Sequence, residues 1–141
     1  MPKLHDHLRQ VDRNIRFLHD CERKNCHHTR EYPEWGVVVR FYLSMHIVEA
    51  MLSLGGVHSR SHTERNKHVL RTRGLFSRRF QLGYADLYSM SRTARYLAGN
   101  GRGVEESEVK AAARHATLIR NEARSFLRSR LEETASISPW L

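Results

Sequence analysis

The sequence predicts an all-α protein, an antiparallel up-and-down bundle of four to five helices. Three observations predict it. Apolar residues recur at steps of three and four through most of the chain, strand-like alternation is missing, and helix-stopping Gly turns fall between the periodic segments. At 141 residues the chain suits a single domain with one hydrophobic core. We place that core at about 4–133, with a flexible C-terminal tail at 134–141.

Leu4, Leu8, Val11, Ile15 and Leu18 mark a first amphipathic helix, whose other face carries Arg9, Asp12, Arg13 and Arg16. Residues 24–34 break the period, and Pro33 favours entry into a second helix from about Glu34 to Leu54. That helix is apolar on nearly every side and is stopped by Gly55-Gly56. Ser61 or Thr63 can cap a short third helix through "ERNKHVLR". A fourth spans about 84–98 and ends at "GNGRG"; a fifth, about 105–133, is striped with Ala112, Ala113, Ala116 and Ala123. The form of the connection holding Leu75, Phe76 and Phe80 stays open.

The chain carries 24 basic against 15 acidic side chains, a formal charge of +9, and its basic residues are mostly arginine. Arginine grips phosphate through a planar fork of donors, so a polyanion fits as partner. A GC-rich codon bias yields the same composition without function. The two cysteines, Cys21 and Cys26, form no extracellular framework, and no signal-peptide pattern opens the chain. Cytoplasmic localisation and no membrane partner are the expectation.

Tyr42, His46 and Glu49 fall within about 60° of one another on the second helix. Such a strip can hold a proton-transfer group beside a bound phosphate, or it can be a paired polar layer in which Glu49 meets an arginine from another helix. Arg95, on one face of the fourth helix with Tyr84, Tyr88 and Ser91, is the natural counter-ion. The run "HSRSHTERNKH" gathers His58, Arg60, His62, Arg65, Asn66 and His68 around a helix N-terminus, where anions are favoured. It is the best phosphate-contact candidate. "CERKNCHH" offers Cys21, Cys26, His27 and His28, but lacks the second ligand pair of a structural zinc site. No glycine-rich phosphate loop, nucleophile elbow or zinc-protease motif occurs, so neither metal nor cofactor is expected.

The order of "YPEWGVVVRFYLSMHIVEAML", "SHTERN", "YADLYSMSRTARY" and a long alanine-striped helix resembles the HEPN superfamily, in particular small stand-alone bacterial members. The resemblance covers about Leu8 to Leu131. It implies a helical bundle, frequent homodimerisation, and binding of RNA or nucleotides in defence, toxin or stress systems. In the catalytic form it implies a metal-independent ribonuclease with closely spaced arginine and histidine. Here that spacing occurs as Arg13 with His19, Arg23 with His28, and Arg40 with His46. Near the last helix, Arg120-Asn121 meets Ser125 where the motif has histidine. The resulting expectation is an RNA- or nucleotide-binding protein with candidate catalytic residues Tyr42, His46, Glu49 and His62. Its expected phosphate contacts are Arg60, Arg65, Asn66, His68 and Arg95. The competing expectation is a non-catalytic scaffold or interaction module, dimeric or paired with a companion protein of a toxin-antitoxin system.

Overall fold

Five helices account for almost all of the described residues, which are 3–23, 31–72, 74–96 and 103–131 of the computed structural model. They are α1 (Leu4–Arg23), α2 (Pro33–Ser53), α3 (His62–Arg71), α4 (Arg78–Tyr96) and α5 (Glu106–Arg130). No strand occurs among these residues.

The all-round apolarity of α2 has a direct cause, because it packs against α1, α4 and α5 at once. Val37, Phe41, Leu43, Ile47, Val48 and Leu52 therefore point in several directions and are all buried. By length and composition alone α2 could span a membrane, but most of that stretch is buried inside the bundle. Gly56, at φ +70°, takes the left-handed position after the helix. Its amide bonds to Ser53 O and the Val57 amide to Leu52 O, closing the end as a Schellman turn.

Side-chain pairs fix the helix directions. Arg40 reaches Glu22 while His46 meets His7, so α1 and α2 run antiparallel. Arg95, near the end of α4, meets Tyr42 at the middle of α2, whereas Phe80, near the start of α4, lines one hollow with Met51 near the end of α2, which makes α2 and α4 antiparallel. Ser77 donates to Glu122 and Asp86 faces His115, so α4 and α5 are antiparallel too. The up-and-down bundle follows, with α2 at its centre. Ala112, Ala116 and Ala123 on α5 are buried, and their small side chains let α5 lie close against its neighbours.

Two boundaries differ from expectation. The fourth helix begins at Arg78 rather than 84, because Ser77 Oγ accepts the Phe80 amide (3.0 Å) and acts as a cap. Phe76 and Phe80, stacked 5.0 Å apart, thereby enter the core. The fifth helix stops at Arg130. Ser61, not Thr63, caps α3, accepting the Glu64 amide at 3.1 Å. The tail and most of the loop carrying Cys26, His27 and His28 lie outside the described residues.

Candidate functional site

The strip of Tyr42, His46 and Glu49 shares one side of α2, but each residue takes a partner from a different element. Glu49 is buried, and its Oε1 accepts from Arg65 Nε of α3 at 2.6 Å. The Ser59 amide donates to Oε2 at 3.3 Å. Burial pushes the Glu49 carboxyl up, yet the donors from Ser59 and Arg65 outweigh it and hold the group below its ordinary value. The expected pairing of Glu49 with Arg95 is thus corrected: Arg65 takes that place, because it shares the inward face of α3 with Val69 one turn later.

Arg65 also donates through Nη1 to His62 Nδ1 at 3.0 Å. A guanidinium only donates, so His62 Nδ1 is the acceptor and the ring of His62 is the Nε2-protonated neutral tautomer. Burial lowers the His62 pKa, and Arg65 and Arg95 lower it further. The ring packs between Phe41 (centroids 5.6 Å apart) and Tyr88 (5.8 Å).

His46 turns the other way. Its Nδ1 lies 3.2 Å from His7 Nδ1 of α1, so one ring must be the donor and the other the acceptor. Burial, then His7 and Arg65, pull His46 down from 6.5 to about 4. The folded chain holds His46 neutral while the unfolded chain protonates it, so the unfolded state binds more protons between those values. Stability is therefore full above about pH 6.5 and is lost as pH falls toward about 4. Allowing for the partial exposure of the ring, His46→Gln is expected to remove roughly 1–2 kcal/mol of the stability difference between about pH 7.5 and pH 5. Urea midpoints of the two proteins at both pH values measure it; parallel pH profiles would exclude His46 as the source.

Tyr42 belongs to a third cluster. Arg95 Nη1 donates to its hydroxyl at 3.2 Å, and the same guanidinium sits 5.8 Å from the Tyr42 ring, 5.9 Å from Phe41 and 5.4 Å from Tyr96. Beside it, Tyr88, Ser89, Arg92, Thr93 and Tyr96 line an open groove of about 440 Å³. Arg92 stands 5.9 Å from the Tyr88 ring. Tyr88, Arg92 and Tyr96 recur every four residues and so form a ladder on α4, and Tyr96 is 71% exposed. Sequence reasoning missed Arg92 and Tyr96, although their four-residue spacing from Tyr88 was the available signal. A larger hollow of about 710 Å³ near the end of α2 is lined by Met51, Phe76, Phe80 and Phe126, with Glu122 the one charged group among the described residues that line it.

The phosphate patch expected at the N-terminus of α3 is only partly assembled. Arg65, expected as a phosphate contact, is 7% exposed and turned inward to Glu49. The Glu64 side chain accepts the Arg60 amide at 2.8 Å and lies 3.8 Å from His68, so a carboxylate already sits beside that helix end. Arg60 is exposed, and Asn66 Oδ1 is buried without a hydrogen-bond partner. Tyr84 is core, and burial pushes its phenol far above the ordinary value.

No protein-family model, curated protein or solved structure matches the chain.

Proposed function

We propose that the chain is a HEPN-like bundle that binds single-stranded RNA or nucleotides along the C-terminal half of α4. One observation carries this reading: the Tyr88, Arg92, Tyr96 ladder with Arg95 beside it, at the mouth of an open groove. Tyrosine faces stack on bases without regard to sequence, and arginines beside them reach the phosphates between successive bases. The fold has little use for Tyr96 itself, since most of that side chain lies in solvent. The surplus of arginine over acidic groups adds a long-range attraction for a polyanion.

Binding fits the site better than cleavage does. In its Nε2-protonated form His62 can donate to a phosphate oxygen but has no free nitrogen to take a proton from a 2′-hydroxyl. His46 is engaged by His7, and Glu49 by Arg65. The reading therefore uses Tyr42, His62, Arg95 and Arg92 as binding groups, and leaves Glu49 and Arg65 as the structural pair beneath them. Self-association belongs to the same proposal through the HEPN resemblance.

Tyr96→Ala tests it at little risk to the fold. Loss of one stacked base costs about 1–3 kcal/mol, so affinity for a fluorescently labelled single-stranded RNA should fall by roughly tenfold or more. The melting temperature should stay unchanged. Unaltered anisotropy titrations for the variant would remove the ladder from the binding surface.

A further inference from the structure

Three side chains from separate parts of the chain converge. His7 comes from the first turns of α1, Glu49 from the second half of α2, and His58 from the connection between α2 and α3. One ligand atom of each lies within 4.8 Å of the other two. We infer that His7, Glu49 and His58 bind one divalent transition-metal ion of the zinc type, a site separate from the proposed RNA groove.

The donor set fits that ion class. Two neutral imidazoles and one carboxylate, with no thiolate, suit zinc and its neighbours. Ligand atoms about 2.1 Å from a tetrahedral metal lie about 3.4 Å from one another, so side-chain adjustments of roughly an ångström draw the set onto one ion.

The remaining contacts leave the needed atoms free. His58 Nδ1 is buried with no hydrogen-bond partner, an unexplained cost for an imidazole that a metal or a proton donor must offset. His7 uses Nδ1 toward His46, which leaves Nε2 as its ligand atom. A ligating histidine commonly donates its second N–H to an outer group that fixes the ring, and His46 stands where that acceptor belongs. On Glu49, Arg65 occupies Oε1 at 2.6 Å, while Oε2 faces the Ser59 amide at a longer 3.3 Å. Oε2 is the oxygen available to a metal, with Arg65 steadying the carboxylate from behind. Three protein ligands leave a coordination position for water or another small ligand.

The competing account is that the three groups merely share protons in a half-buried polar cluster. Titration of the chelator-treated full chain with Co2+ and with Zn2+ separates the two. We expect one tightly bound ion per chain, a Co2+ absorption spectrum typical of a low-coordinate nitrogen and oxygen site, and a higher melting temperature with Zn2+. Outer partners of metal sites alone carry roughly tenfold to 100-fold in affinity, so loss of a ligand in His58→Ala should weaken binding by about 100-fold or more and abolish the thermal shift. His58→Gln, which keeps more of the side-chain volume, should do the same, and circular dichroism confirms that each variant is folded. His19→Ala, on the exposed face of α1, should bind as the unaltered chain does. Tight binding that survives in both His58 variants, or an unaltered chain that takes up Co2+ only as weakly as its scattered surface histidines would, overturns the site.

Discussion

Glu49→Ala is expected to destabilise the fold by about 3–5 kcal/mol, the largest stability effect of any single substitution in this region. The reason is the group left behind. Arg65 is 7% exposed, and without the 2.6 Å bond to Oε1 its charge stays buried beside neutral groups such as the His62 ring nitrogen, with no carboxylate to balance it. A backbone amide, that of Ser59, also loses its acceptor, which detaches the connection between α2 and α3 from the core. Replacing both partners by apolar residues, as in Glu49→Leu with Arg65→Met, should recover most of the loss, since no uncompensated charge remains. Urea unfolding of the three proteins measures this. A penalty below about 1 kcal/mol for Glu49→Ala would mean that Arg65 swings out to solvent, and the pair would then not anchor α3.

The same pair shows what could be read from the sequence. Helical arithmetic placed Tyr42, His46 and Glu49 on one side of α2, and it placed Tyr84, Tyr88, Ser91 and Arg95 together on α4; both groupings hold in the structure. Period and turn chemistry were enough for five helices, because four carry an apolar stripe, α2 is a long unbroken apolar run, and turn residues separate them. The partner of Glu49 was not legible. Arg65 and Arg95 are equal as counter-ions by type, and the choice depends on which face of the short α3 packs inward. Its two adjacent apolar residues, Val69 and Leu70, point to different faces; only Val69 is buried, and Arg65 goes in with it. The meeting of His7, Glu49 and His58 was hidden for a related reason: two helices and a loop must be packed before residues so far apart in sequence come near.

The functional reading places binding on a surface that the fold does not need. Tyr96 and Arg92 are exposed, and their interactions with Arg95 and Tyr88 are stacking contacts open to solvent. Substitutions there should separate binding from stability, in contrast to Glu49. Arg92→Ala combined with Arg95→Ala is the substitution expected to affect binding most. Each arginine that meets a phosphate displaces a condensed counterion, so its removal lowers both affinity and salt dependence.

The most direct test is the salt dependence of single-stranded RNA binding, measured by anisotropy for the unaltered chain and for this double variant. The account predicts a steep fall in affinity with salt for the former, and for the variant a logarithmic slope shallower by about 1.4, as two lost phosphate contacts on a single strand require. Equal slopes and equal affinities for the two proteins would contradict it, and the α4 groove would then have no part in binding RNA.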